Sequence, residues 1–179
     1  MSILEKVLDA VSPSHDEAPN AVALLKRDHD DVATLFDDYE MLANDPQASG
    51  DDKRVLSTEI CGMLAVHAMI EEEIFYPAAR EAGVEPSLLN EAEVEHGSAK
   101  ELIAQIGETQ PSNRLYDART KVLSEYIRHH VEEEETELFP ACRKADMNLD
   151  ELGTRLAQRK EELMLQLHGA RPAEPVTGV

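Results

Sequence analysis

Two segments of this chain repeat one pattern at helical spacing. Residues 67–77 read His-Ala-Met-Ile-Glu-Glu-Glu-Ile-Phe-Tyr-Pro, and residues 130–140 read His-Val-Glu-Glu-Glu-Glu-Thr-Glu-Leu-Phe-Pro. In each copy a Glu lies four residues after the His, so an α-helix places the imidazole and the carboxylate on the same face. The repeat therefore predicts two helices that each present one His and one Glu in the same direction. Two such pairs facing each other would form a metal site.

Apolar residues recur at spacings of three and four along most of the chain, which indicates amphipathic helices. The predicted helices cover residues 20–43, 51–82, 86–108, 113–144 and 149–167. Period-two alternation, which would indicate strands, is absent, and the loops between the helices are short. We therefore predict an all-α fold, an up-down-up-down antiparallel four-helix bundle with an extra C-terminal helix. A coiled coil is disfavoured because polar residues interrupt the stripes.

The chain divides into four predicted parts. Residues 1–19 form a short helix and a loop, residues 20–145 form the bundle, residues 146–169 form a C-terminal helix packed on the bundle, and residues 170–179 form a disordered tail. The 179 residues suffice for one domain with a core of its own.

Charge and cysteine usage exclude several classes of partner. Asp and Glu outnumber Lys and Arg by 37 to 17, which gives a formal net charge of −20. This balance argues against binding to nucleic acid or to an anionic membrane surface. We see no secretory signal and no stretch near the ~20 apolar residues of a membrane span. Cys61 and Cys142 lie too far apart along the predicted helices for a disulfide, and we expect a cytoplasmic protein.

Each of the four long helices carries one His on its apolar stripe, and two of them add a Glu one turn later. A buried charge without a partner is costly, and basic residues are nearly absent from these stripes, so coordination explains the set better than ion pairing. The predicted metal ligands are His29, His67, Glu71, His96, His130 and Glu134. Imidazoles with carboxylates suit iron, manganese or zinc. If both carboxylates bridge two octahedral ions, a few positions stay open for hydroxide, dioxygen or peroxide.

Several neighbouring residues allow two interpretations. Glu72 and Glu135 recur in both copies and belong either to a solvated helix face or to the surroundings of the metals, where either could be an occasional ligand. Tyr126 lies one turn before His130 and either approaches the metals or packs in the core. The apolar stripe favours His130 over its neighbour His129 as the inward residue.

The stripes also predict which residues after each Glu face the core. At α-helical spacing these are Ile74 and Ala78 in the first copy and Leu138 and Ala141 in the second. Two further histidines, His15 and His168, are expected to be exposed to solvent.

Together these residues make the chain resemble the haemerythrin-like, or HHE cation-binding, family over about residues 20–145. The markers are His29, His67 with Glu71 and the Tyr-Pro after them, His96, and His130 with Glu134 and the Phe-Pro after them. The resemblance implies a four-helix bundle around a non-haem di-iron centre, with two iron ions bridged by carboxylates and an oxo or hydroxo group. Manganese or zinc is a less favoured occupant.

The chain departs from the oxygen-carrying members of that family at two places. Lys100 stands four residues after His96, where the carriers have a second His, and Glu134 stands four residues after His130, where they have an Asp at five. The pattern resembles the His, HxxxE, His, HxxxE branch, which disfavours simple oxygen transport.

The resemblance implies two functions and leaves the choice between them open. The first is a protein that binds or reacts with a small oxidant, dioxygen or peroxide, with a catalase-like activity among the options. The alternative is a non-enzymatic sensor of iron, oxygen or nitric oxide, or a metal-binding module. A third hypothesis, from the residues alone, is a metal-free structural bundle, and four histidines on four apolar stripes argue against it.

Overall fold

The structure, a computed structural model, describes residues 20–169 apart from the side chain of His168. Four long helices and a C-terminal helix make up this part of the chain. The helices are α1 (Ala21–Asn44), α2 (Gly50–Ile70), α3 (Tyr76–Glu81), α4 (Pro86–Gly107), α5 (Tyr116–Glu133), α6 (Phe139–Lys144) and α7 (Leu149–Gly169). Two π-helical turns, π1 (Glu71–Phe75) and π2 (Glu134–Leu138), join α2 to α3 and α5 to α6 without a break.

These elements form a four-helix bundle with α7 on its outside. Helix α1 packs against α2 and α5, and α4 packs against α5 and α2, which closes the ring of four, while α7 lies along α1 and α2. The described residues contain no strand, and the predicted all-α bundle with an extra C-terminal helix is confirmed. The predictions for residues 1–19, for residues 170–179 and for the side chain of His168 lie outside what the structure describes.

Short-range hydrogen bonds set where the helices begin. The Asn20 side chain accepts a hydrogen bond of 3.0 Å from the backbone N–H of Ala23 at the start of α1. Ser49 and Asp52 form a reciprocal capping box at the start of α2. Pro86 opens α4, where its missing N–H costs nothing. These local signals explain why three predicted helix starts lie within one residue of the observed ones. The start of α7 at Leu149 also agrees with the prediction, whereas the helix predicted from residue 113 begins at Tyr116.

The two π turns correct the predicted apolar stripes. In π1 the N–H of Tyr76 donates to the carbonyl of Glu71, five residues back, and Phe139 does the same to Glu134 in π2. Pro77 and Pro140 come directly afterwards, and a proline there has no N–H for the carbonyl four residues back. The extra residue in each turn rotates the next helix about its axis.

The residues that face the core after each π turn are therefore displaced by one position. In the first copy Phe75 and Ala79 are fully buried, while the predicted Ile74 and Ala78 are only partly buried. In the second copy Cys142 is buried in place of Ala141. The predicted burial of Leu138 is correct, although Phe139 beside it is buried as well.

The apolar core consists of two clusters at opposite ends of the bundle. One contains Phe75, Phe139 and the leucines Leu152, Leu156 and Leu163 of α7. The other contains residues of the far halves of the four long helices. The two clusters are separated by a layer of buried polar side chains, which contains the predicted ligands.

Neither cysteine forms a disulfide, as predicted. Burial raises the pKa of the Cys142 thiol to about 12 and that of Cys61 to about 11, so both are inert at neutral pH. Among the described helices, none combines the length and apolarity that crossing a membrane requires.

Leu156→Ala tests whether α7 is an integral part of the bundle. Leu156 is fully buried, so the change should lower the free energy of unfolding by about 2–5 kcal/mol, measured by urea denaturation. Leu165→Ala is the matched control on the same helix, because that side chain is 67% exposed and should change stability by no more than about 0.5 kcal/mol. Equal small effects of both changes would show that α7 does not stabilise the bundle.

Candidate metal centre

The six predicted ligands meet in one buried layer midway along the bundle. Their exposed fractions lie between 0% for Glu71 and 7% for His67. Each long helix contributes the His that sequence spacing assigned to it, and His130 points inward while His129 is exposed. The structure therefore brings together all six residues of the predicted set.

The four imidazoles form two pairs. The Nε2 atoms of His29 and His67 lie 3.2 Å apart, and those of His96 and His130 also lie 3.2 Å apart. The first pair comes from the hairpin of α1 and α2 and the second from the hairpin of α4 and α5. The two hairpins thus supply two equivalent halves of the site.

Each of the two buried carboxylates lies between the two imidazole pairs. Glu71 Oε2 lies 3.2 Å from His67 Nε2 and 3.4 Å from His96 Nε2. Glu134 Oε2 lies 3.3 Å from His29 Nε2 and 3.6 Å from His130 Nε2. Each carboxylate therefore connects one half of the site to the other.

These separations fit the spacing of donor atoms around metal ions. Two donors bound at right angles with bonds of ~2.1 Å lie ~3.0 Å apart. Both oxygens of Glu71 and Oε2 of Glu134 are buried without a hydrogen bond, which costs roughly 1–3 kcal/mol for each such group unless a cation is present. Two buried groups of donor atoms lie close enough together to hold a metal ion. One consists of His29, His67, Glu71 and Glu134, and the other of Glu71, His96 and His130.

A carboxylate faces the second ring nitrogen of every one of these histidines. The Nδ1 contacts are His29 to Glu135 at 3.0 Å, His67 to Asp28 at 3.5 Å, His96 to Glu72 at 2.9 Å and His130 to Glu95 at 2.7 Å. Such contacts hold the ring orientation and make Nε2 a better donor to a metal. Glu72 and Glu135, which the sequence left open, thus lie behind the ligands rather than on a purely solvated face.

Asp28 and Glu95 are site residues that the sequence analysis missed. Each directly precedes an inward histidine, and each contacts the histidine of the next helix in its own hairpin: Asp28 contacts His67, and Glu95 contacts His130. The signal was present, since an acidic residue stands before the histidine in both copies. Its meaning requires knowledge of which helices are neighbours.

Lysines pair with three of these four outer carboxylates. Lys26 pairs with Glu135, Lys160 of α7 pairs with Asp28, and Lys100 lies 2.6 Å from Glu72.

Glu95 is the exception. In the described part of the chain no lysine or arginine pairs with it, and its outer neighbours are the exposed His129 and the partly exposed Glu133.

Tyr76 is a further site residue that the sequence did not reveal. Its hydroxyl donates to Glu134 Oε1 at 2.8 Å and lies 3.3 Å from His96 Nε2. At α-helical spacing Tyr76 would point away from Glu71, and the π turn is what brings it inward. Its counterpart Phe139 has no hydroxyl and stacks on His29 with ring centroids 5.7 Å apart.

Tyr126, which the sequence offered as a second tyrosine near the metals, is only half-buried and does not line the cavity beside the site. Its packing interpretation therefore agrees better with the structure.

Charge within the site is balanced by the imidazoles themselves. Burial alone would lower the pKa of His67, but the carboxylates of Glu71 and Asp28 raise it to about 10. Burial likewise opposes protonation of His130, yet Glu95 and Glu134 raise its pKa. Burial would raise the pKa of Glu71, but the neighbouring imidazoles hold it well below its ordinary value. A metal that binds here therefore displaces protons from the histidines.

A small apolar cavity adjoins the four histidines on the side away from the two carboxylates. Its volume is about 30 Å³, enough for one or two water-sized molecules. Besides the histidines and Asp28 it is lined by Val32, Leu64, Ala65, Ala68, Ala99, Lys100, Ile103, Ile127 and Val131. A molecule such as dioxygen or hydrogen peroxide fits this space.

Comparison with known proteins matches the bundle to one family. Residues 20–142 match the family model described as the Hemerythrin HHE cation binding domain. The chain is similar to the crystal structure of an HHE domain-containing protein from Mycobacterium kansasii, a homolog of Rv2633c, with a TM-score of 0.69, 25% identity, and coverage of 85% of this chain and 94% of that one. These matches confirm the resemblance drawn from the sequence.

Two curated relatives extend the comparison. Rv2633c of Mycobacterium tuberculosis is 27% identical over 147 residues, which cover 80% of this chain and 87% of that protein. A DNA nickase of Nostoc is 28% identical over 152 residues, which cover 84% of this chain but 42% of that protein.

The neighbouring histidines His129 and His130 provide a matched test of the metal site. His130→Ala should lower the metal bound per chain, because its Nε2 belongs to the buried donor set, whereas His129→Ala should retain the wild-type content, because that side chain is 61% exposed. Metal content of the purified proteins, measured by elemental analysis, checks this. Equal metal content in the two variants would contradict the assignment.

Proposed function

Because this chain belongs to the hemerythrin HHE cation-binding domain family, we propose that it binds two iron ions and reacts with dioxygen or peroxide beside them. The two irons would lie between the imidazole pairs, one held by His29 and His67 and the other by His96 and His130. Glu71 and Glu134 would bridge them.

The observation that carries this proposal is the placement of Glu71. A single carboxylate oxygen lies 3.2 Å from an imidazole of one pair and 3.4 Å from an imidazole of the other. Glu134 repeats the arrangement from the opposite helix. A single ion held by His29, His67, Glu71 and Glu134 would leave His96 and His130 without a metal, whereas two ions use all six residues.

The donor chemistry is compatible with iron. Imidazole nitrogens with carboxylate oxygens suit iron, manganese and zinc, while thiolates would be expected for softer metals. Cys61 and Cys142 belong to neither of the two buried donor groups. Bound iron would give electrons to dioxygen or to one peroxide molecule, and a second peroxide molecule would restore those electrons as it is oxidised to dioxygen.

The residues around the metals would control which molecules reach them and would supply a hydroxyl group beside them. The apolar cavity of about 30 Å³ admits a small neutral molecule and disfavours larger or charged ones. Tyr76 is the one phenol hydrogen-bonded to a ligand among the described residues, and burial with the neighbouring carboxylates raises its pKa well above the ordinary value. It therefore holds its proton at neutral pH and can donate a hydrogen bond at the side of the site near His96.

Glu71→Ala tests the peroxide reaction. Iron-loaded wild-type protein should convert two molecules of hydrogen peroxide to one of dioxygen and two of water, and an oxygen electrode should record a rate at least about 100-fold lower in the variant, because a bridge is lost. Glu73→Ala is the matched control, since Glu73 lies in the same π turn and pairs with Arg159 on the surface.

Metal analysis and absorption spectra of the same preparations separate the alternatives. We expect two irons per chain and spectra that change when air or peroxide is added. Two bound irons with no oxygen release from wild type would rule out the peroxide reaction and favour the sensor function.

Tyr76→Phe tests whether the Tyr76 hydroxyl takes part in the reaction. The variant should keep its iron, because no ligand changes, and should react with peroxide about 100-fold more slowly. Tyr39→Phe is the control, because Tyr39 is another buried tyrosine whose hydroxyl is bonded, to Asp117, away from the site. An unchanged rate in Tyr76→Phe would show that the hydroxyl takes no part in the reaction.

A further inference from the structure

The two halves of the site differ in how their outer carboxylates are neutralised. Asp28 and Glu95 occupy matching positions, each one residue before an inward histidine and each facing the Nδ1 of the neighbouring histidine. Lys160 pairs with Asp28, and in residues 20–169 no lysine or arginine pairs with Glu95. The duplicated half-sites are thus made unequal by one side chain of α7.

We propose that Lys160 makes the metal position between His29 and His67 the weaker of the two. The inference rests on the proposed pair of metals and concerns how the chain distinguishes them. Lys160 acts through Asp28 and is a positioning residue, not a ligand.

The contact distances support this direction. Asp28 Oδ2 lies 3.5 Å from His67 Nδ1, the longest of the four outer contacts, while Asp28 Oδ1 is bonded to Lys160. Glu95 Oε2 lies 2.7 Å from His130 Nδ1, the shortest of the four. Of the two residues in matching positions, Asp28, which pairs with a lysine, is the farther from its imidazole, and Glu95, which pairs with none in the described residues, is the closer.

These distances have an electrostatic consequence. A carboxylate on Nδ1–H makes Nε2 a stronger donor, and a carboxylate shared with an ammonium group does so less. At the His29 and His67 position both outer carboxylates are paired with lysines, Lys26 and Lys160.

At the other position only Glu72 has a lysine partner. The additional ammonium charge also repels a metal cation, and water screens this repulsion only in part because the Lys160 side chain is 29% exposed.

Lys160 lies outside the part of the chain that matches the family model, which ends at residue 142. Helix α7 lies along α1 and α2, the two helices that carry His29 and His67. Through Lys160 the C-terminal helix therefore reaches the half of the site that we infer to be weaker. We infer that it lowers the metal affinity of that half without contributing a ligand.

Titration of the metal-free full-length protein with Co²⁺, followed by its visible absorption, tests the inference. Wild type should bind two equivalents in two steps. Lys160→Met should raise the affinity of the weaker step about tenfold and bring the two steps together, because the ammonium is removed and Asp28 is free to approach His67. A role in folding alone would predict the opposite sign, a weaker step.

Three further variants make the outcome specific. Lys160→Arg keeps the charge and should keep the two wild-type steps. Arg159→Gln removes the neighbouring surface pair with Glu73 and should also leave both steps unchanged. Glu95→Gln should weaken the tighter step, which assigns that step to His96 and His130.

The failures are distinguishable. Fewer than two equivalents bound by wild type would overturn the proposed pair of metals. Two equivalents with an unchanged or weakened second step in Lys160→Met would overturn the role of Lys160 alone. Thermal unfolding of the metal-free variants shows whether each is folded, and Lys160→Gln replaces Lys160→Met if that variant is not.

Discussion

The rest of the structure depends on the burial of two carboxylates among four imidazoles at the centre of the bundle. Glu71 and Glu134 are almost inaccessible to solvent, and neither oxygen of Glu71 has a hydrogen bond. Such groups are stable in a core only beside positive charge, which is supplied either by protonated histidines or by metal cations. Because the polar layer separates the two apolar clusters, the stability of the bundle and the occupancy of the site are expected to be linked.

The near-symmetry of the site arises from two similar helical hairpins, and the differences between them fall outside the six ligands. The ligands match in type and position, as do Glu72 and Glu135 behind them. Tyr76 faces Phe139 across the site. Asp28 and Glu95 differ in side-chain length, in their distance from the imidazole and in whether a lysine pairs with them. A duplicated set of ligands can thus form two inequivalent metal positions, because the metal affinity of each position also depends on the charged residues that contact its histidines.

Helix number, helix length and fold class were predictable because they depend on local periodicity and on caps. The rotation of the chain after each ligand Glu was not. Ile74 and Ala78 were expected in the core, and Phe75 and Ala79 occupy it, because each stretch contains a π turn before its proline. The aromatic-Pro pair was visible in both copies, but its effect on the backbone depends on the packing that stabilises the wider turn.

The sequence by itself determined the fold class and the six candidate ligands, because helical spacing alone places them on inward faces of four helices. Only the tertiary structure decided which nitrogen meets which carboxylate, that Asp28 and Glu95 hold the imidazoles of neighbouring helices, and that Tyr76 enters the site. It also decided that Lys160, more than 130 residues from Asp28, is its partner. These contacts join different helices, and their geometry depends on how the helices pack, which no spacing within one helix encodes.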